Sequence, residues 1–142
     1  MGFGGTFLFG HSAIAAPSCS GISATAMAFG NYNPVNAANV DSAATISYSC
    51  PPPTVPLVTV TTGTGGSYSP RLMKQGATET IGYNLYRNAL RTEIWGDGTG
   101  GTFSMTLPTG NNRTAPIYGR VFASQNVVAG AFTDTVTIIF NF

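Results

Sequence analysis

The stretch Phe132-Thr133-Asp134-Thr135-Val136-Thr137-Ile138-Ile139-Phe140-Asn141-Phe142 constrains this chain more than any other. Phe132, Val136, Ile138, Phe140 and Phe142 fall on one parity, and Thr133, Thr135, Thr137 and Asn141 on the other. Side chains along a strand point alternately to opposite faces, so the pattern predicts a strand with one face in a core. Phe142 is the last residue of the sequence, so the expectation is that something other than a following segment covers this strand.

The rest of the chain agrees with an all-β fold. Short runs rich in Thr, Val, Ile, Tyr and Phe are split by Gly, Pro and Asn, which favour turns over ladders. The spacing predicts strands over Gly21–Phe29, Ala44–Cys50, Val55–Thr62, Thr80–Arg87, Thr102–Leu107, Ile117–Ala123 and the C-terminal stretch. Pro51-Pro52-Pro53 stops the second of these, because proline cannot donate to a ladder. Turns are expected at Gly30–Pro34, Gly63–Ser67 and Trp95–Gly101, a polar loop over Pro108–Pro116, and a lead-in over Gln125–Gly130. Arg87–Thr92 reads equally as a loop or a helical turn. About seven strands, no internal repeat and 142 residues suit one immunoglobulin-like β-sandwich.

Charge and chemistry exclude several classes of function. Six Lys+Arg against five Asp+Glu give a net charge of +1 with no basic cluster, which argues against nucleic acid or an acidic surface as the main partner. His11 is the only histidine, and it is expected to leave with an N-terminal secretory signal, which removes Ser–His–Asp and Cys–His arrangements and any histidine-based metal site. The acids Asp41, Glu79, Glu93, Asp97 and Asp134 show no spacing that selects a glycosidase pair, and Asp97-Gly98-Thr99 lacks the alternating oxygens of a calcium loop. The chain is read as a non-enzyme that needs no metal or cofactor. Trp95 and Tyr86 are the candidates for contact with a ligand or surface, although a lone tryptophan beside a turn is more often a packing anchor. Asp134, on the apolar parity, needs a buried partner such as Arg120 or backbone N–H groups, and a bond to a neighbouring loop is the preferred expectation.

Residues 1–15 read as a secretory signal: Thr6–Gly10 is its apolar core, and Ala13 and Ala15 fit cleavage before Ala16. No Lys or Arg precedes the apolar run. The shared parity of Phe3, Phe7 and Phe9 supports a rival reading as an extended strand. The domain proper is then 16–142. No stretch reaches ~18 apolar residues, so no transmembrane segment is expected. In an exported chain, the pair Cys19 and Cys50, 31 positions apart, is expected as a disulfide, stabilising by about 3–4 kcal/mol.

Several pieces, taken in order, resemble the spore coat protein U domain family, which is similar to the subunits of Csu-type archaic chaperone–usher pili. They are Cys19, Phe29-Gly30-Asn31-Tyr32, Ile46-Ser47-Tyr48-Ser49-Cys50, Arg71-Leu72-Met73, Tyr83-Asn84-Leu85-Tyr86-Arg87, Arg91-Thr92, Trp95-Gly96-Asp97-Gly98 and Gly130–Thr137. The resemblance covers Cys19–Phe142. It implies a sandwich lacking one edge strand, exported through the periplasm to a cell-surface fibre. A periplasmic chaperone would supply the strand, an outer-membrane usher would assemble the fibre, and a neighbouring subunit would replace the chaperone strand. The implied groove lies along Phe132, Val136, Ile138, Phe140 and Phe142. With cleavage before Ala16, only Ala16, Pro17 and Ser18 precede Cys19, too few for a donor extension, so such a chain accepts a strand and does not donate one. The alternative is a self-complete, secreted carbohydrate- or surface-binding sandwich.

Overall fold

In the computed structural model, the backbone is described for residues 2–12, 18–31, 38–127 and 131–142, and side chains for 18–30, 38–127 and 131–142. The described residues form ten strands: β1 Gly2–Ser12, β2 Ser20–Ala24, β3 Met27–Asn31, β4 Val40–Cys50, β5 Leu57–Val60, β6 Arg71–Gln75, β7 Glu79–Tyr86, β8 Met105–Thr106, β9 Gly110–Val121 and β10 Phe132–Asn141. Hydrogen bonding runs β2-β4-β9-β7-β6-β10-β1-β3, with β5 on β10 and β8 on β5. The β6–β10 link is the single pair Thr133–Lys74, and there the ladder passes from one layer to the other.

Contacts across the interior show the two layers facing each other. The rings of Tyr48 on β4 and Phe140 on β10 lie 5.7 Å apart, and those of Phe29 on β3 and Tyr83 on β7 lie 6.3 Å apart. Where β3 crosses β9, a Cβ on Gly119 would collide with Met27 and Phe29, so the missing side chain lets these two large ones reach the core. The result is an all-β, immunoglobulin-like sandwich with one disulfide. Cys19 and Cys50 are bonded (S–S 2.03 Å), joining the approach to β2 to the end of β4.

The alternations in β4 and β10 are observed as expected: Ile46, Tyr48 and Cys50 are buried, as are Phe132, Val136, Ile138 and Phe140. Elsewhere the structure departs from the sequence reading. The expected first strand is two, broken at Thr25-Ala26, with Met27 and Phe29 inside. The polar loop expected over Pro108–Pro116 is largely strand, because β9 begins at Gly110 and pairs with β4 from there. Pro116 is tolerated because β7 joins β9 only from Tyr118 onward, leaving one side of β9 open at the proline. Thr102–Leu107 keeps only Met105–Thr106 as strand; Phe103, expected inside, is 39% exposed and lies under the Arg87 guanidinium at 4.3 Å. β6 was not expected at all: its inward positions are Arg71 and Met73, and a buried arginine hides the period. The turn at Tyr32–Pro34, the cleavage residues Ala13–Ala16 and the end of the lead-in, 128–130, lie outside the described residues.

Candidate functional site

β10 has two edges, and they are covered differently. On one, Lys74 of β6 pairs with Thr133, and β5 pairs with Ile138–Asn141. Between these, the Thr61 amide donates to the Thr137 carbonyl and the Thr137 amide donates to the Thr61 hydroxyl. On the other edge a single strand, β1, runs parallel to β10 along its whole length, from Phe3 opposite Phe132 to Ser12 opposite Asn141. The far side of β1 meets β3 antiparallel, only over Gly2–Gly5 against Met27–Asn31. β1 therefore occupies a slot between the last strand of the chain and β3. Gly2–Ser12, which lies within the segment read as a secretory signal, is the strand that completes this layer.

The floor of the slot is the inward face of β10. With β1 in place, Phe132, Val136, Ile138 and Phe140 are buried, and Phe142 is partly buried against the same core. Their side chains belong to the core, while the backbone N–H and C=O groups of β10 form the edge itself. Any segment that pairs there gains ladder bonds and closes apolar surface in one step.

One inward position on β10 is polar. Asp134 is 3% exposed and accepts hydrogen bonds from the Thr64 amide and hydroxyl, both at 2.8 Å, from the Thr135 amide at 2.9 Å, and from the Tyr83 hydroxyl. Arg120 is not its partner; that guanidinium is bidentate with Asp41 at the surface. The loop reaches the carboxylate because Gly63 has a φ of 79° and no Cβ, which would collide with the Asp134 carboxylate. Burial, and next the Asp134 carboxylate, push the Tyr83 hydroxyl far above the ordinary tyrosine range, which keeps it a neutral donor.

Beside this clip lies a buried cation that sequence reasoning missed. Arg71 is fully buried; its Nη1 donates to Asn84 Oδ1 at 2.9 Å, and its Nη2 to the carbonyls of Thr61 (2.9 Å) and Trp95 (2.8 Å). Burial draws the guanidinium below its usual pKa, and the hydroxyl groups of Tyr83 and Tyr68 and the Asp134 carboxylate work against that. Arg71 thus ties three segments together: the Thr61 strand end, the Trp95 turn and β7. The signal in the sequence was a charged residue at an inward position beside Met73, visible only once β6 is known to be a strand.

Trp95 and Tyr86, the candidates for ligand contact, are both interior. Trp95 is fully buried and donates from Nε1 to the Val58 carbonyl at 3.1 Å, so it anchors the core. Tyr86 lies in the β7–β9 ladder opposite Tyr118, with little surface exposed. Among the described residues no group of His, Cys, Asp and Glu side chains is disposed to hold a metal ion. Among the described residues no helix is long and apolar enough to cross a membrane.

Comparison with known proteins bears on this arrangement. The family model described as Spore Coat Protein U domain matches residues 5–139, beginning inside β1 and ending inside β10. "Protein U" of Myxococcus xanthus is 31% identical over 135 residues, covering 87% of this chain and 75% of that protein. Among solved structures, the CsuC–CsuE chaperone–tip adhesion subunit pre-assembly complex, from archaic chaperone-usher Csu pili of Acinetobacter baumannii, contains a chain of similar fold. Its TM-score is 0.56 at 23% identity, and the match covers 88% of this chain and 40% of that one. The chain thus spans two-fifths of the length of that structural relative, and the likeness shows the fold.

Proposed function

The chain belongs to the Spore Coat Protein U domain family, and from that premise we propose that it is an exported structural or adhesive subunit of a surface fibre, completed by strand addition at β10. The observation that carries this reading is the slot between β10 and β3: among the described residues, one edge of the last strand, Phe132–Asn141, is paired only by Gly2–Ser12. Processing before Ala16 removes that strand. It leaves unpaired N–H and C=O groups and thinly covered apolar side chains along β10, which such a sandwich cannot expose without aggregating. A periplasmic chaperone fills the slot first, an outer-membrane usher presents the subunit for assembly, and a neighbouring subunit's extension replaces the chaperone strand. The CsuC–CsuE complex, a chaperone with a tip adhesion subunit, supports this reading through its shared fold. On this account the processed chain accepts a strand, its location is the periplasm and then the cell surface, and it catalyses nothing.

A second reading is favoured by one fact: β1 fills the slot from within the same chain. A chain that retains residues 1–15 is then a self-complete, secreted binding sandwich. One experiment separates the two. The full chain and residues 16–142 are produced side by side, and their oligomeric state and thermal unfolding are compared. Subunit behaviour means that 16–142 aggregates or melts well below the full chain. A synthetic peptide of the Gly2–Ser12 sequence, added in trans, then raises its melting temperature by mass action. If 16–142 is monomeric, unfolds cooperatively at the same temperature as the full chain and ignores the peptide, strand addition is not what completes this fold.

A further inference from the structure

β1 is held in its slot in two ways, and a single cut in the chain removes only one of them. The first is the ladder. Phe3–Ser12 pair in register with Phe132–Asn141, so the backbone edge of β10 that a partner strand needs is already engaged along its length. On its far side β1 has little support, since β3 meets it only over Gly2–Gly5. The second hold is covalent. Six residues, 13–18, join Ser12 to Cys19, and Cys19 is itself bonded to Cys50 at the end of β4.

Both anchors of that tether lie at one pole of the sandwich. Ser12 is opposite Asn141, next to Phe140, whose ring lies 5.7 Å from that of Tyr48, two residues before Cys50. Facing layers are ~10 Å apart, and six residues reach roughly 20 Å, so the tether spans its anchors without pulling β1 out of register. A short tether of this kind holds its strand at an effective concentration of about a millimolar. A free strand of equal affinity at micromolar concentration therefore loses the contest for β10 by about a thousandfold.

We propose that Gly2–Ser12 is an in-cis pro-strand: while it stays attached the slot refuses strands from other proteins, and hydrolysis within the tether licenses their capture. This rests on the strand-addition reading above and adds its regulation. The cut expected between Ala15 and Ala16 falls after the ladder ends at Ser12 and before the disulfide at Cys19. A processing peptidase adds one water across that peptide bond, leaving a carboxylate on Ala15 and an ammonium on Ala16. Neither the ladder nor the disulfide is touched. What is lost is the effective concentration: β1 becomes an ordinary ligand that dissociates on dilution, and a partner strand of similar affinity replaces it. The bridge to Cys50 keeps Cys19 docked, so the cut frees β1 without loosening β2.

The test uses the full chain with a sequence-specific protease site in place of residues 13–16. A fluorescent peptide of the Gly2–Ser12 sequence is present during the cut, so that a vacated slot is refilled before it aggregates. Anisotropy reads the peptide concentration at half-capture. Uncut chain is expected to need at least about a hundredfold more peptide than cut chain. A second variant stays uncut and carries about 24 extra Gly and Ser residues in the tether. Its lower effective concentration is expected to bring half-capture down roughly tenfold from the uncut parent. Equal capture by cut and uncut chain would overturn the pro-strand and leave strand addition standing, as would half-capture that ignores tether length. Capture by neither chain would overturn the pro-strand and the strand-addition reading together.

Discussion

Tyr83 and Asp134 meet across the sandwich, the β7 hydroxyl donating to the β10 carboxylate with both groups buried. The same carboxylate holds Thr64, so one acid joins the last strand, the opposite layer and the loop after β5. A buried carboxylate is tolerable only when its oxygens are satisfied, and here four donors satisfy them. Asp134→Ala leaves the Tyr83 hydroxyl and the Thr64 amide without that acceptor. The expected loss is about 2–4 kcal/mol of unfolding free energy, read by urea titration. Tyr83→Phe removes one donor and leaves the loop bonds, so its cost is expected to be smaller, about 1–2 kcal/mol. An Asp134→Ala variant as stable as the parent would show that the clip contributes nothing.

Arg71 makes a separate prediction, because its guanidinium fills a niche shaped by three carbonyl-type acceptors. Arg71→Met keeps much of the volume but leaves the Thr61 and Trp95 carbonyls and Asn84 Oδ1 without their donor. A cost of about 3–5 kcal/mol is expected, as for breaking a buried charged cluster. Arg71→Lys restores the charge without the planar fork and recovers only part of it. Chemical denaturation of the three proteins gives the order, and equal stability of the Lys variant and the parent would argue that charge alone suffices.

Much of this fold was legible in the sequence, and what was not has identifiable causes. β10 and β4 were readable because one face is apolar and the other hydroxylic, so the period of two survives in the residue types. β6 was hidden because one of its inward residues is Arg71, and no local pattern reports that partners elsewhere make an arginine fit for a core. β9 was hidden by Asn111, Asn112 and Pro116, residues that read as loop but lie where the strand is open on one side. The disulfide followed from counting cysteines. The slot was half legible: the edge along β10 was expected from the family resemblance and the uncovered alternation. That Gly2–Ser12 fills it in parallel depends on pairing between chain ends, which spacing along the sequence does not encode.

The Asp41–Arg120 pair predicts a weak acid dependence. The hydrogen bond from Arg120 holds the Asp41 carboxyl below the usual carboxylate range, with Arg91 adding to the effect against partial desolvation. A carboxyl whose folded pKa lies below its unfolded value contributes stability that is fully present above the unfolded pKa. That stability is lost as pH falls through the folded pKa. Both partners are substantially exposed, so the contribution is expected to stay under about 1 kcal/mol and to shrink with added salt. Asp41→Asn should therefore flatten the stability profile below pH ~4 and leave it almost unchanged at neutral pH. Melting curves across that range check the sign; a variant that loses more stability in acid than the parent contradicts it.

The inward face of β10 gives the sharpest contrast between neighbouring residues. Phe140 is fully buried with its ring 5.7 Å from that of Tyr48, whereas Ile139, one position earlier, points to the other face and is only partly covered. Phe140→Ala opens a cavity where the two layers meet and is expected to cost about 3–5 kcal/mol. Ile139→Thr keeps a β-branched residue in the strand and is expected to cost less than about 1 kcal/mol. The contrast also reaches the slot. His11 of β1 pairs with Phe140 in register, and Gly10 with Ile139, so the backbone ladder is the same at both positions. If the ladder alone held β1, both variants would release it equally. If the floor holds it, Phe140→Ala should expose the β1 amides to hydrogen exchange well before Ile139→Thr does. Exchange rates at Phe7–Ser12, measured in the full chain under conditions where both variants remain folded, decide between the two. Equal protection of β1 in the two variants would show that the groove face of β10 does not select the strand lying in it.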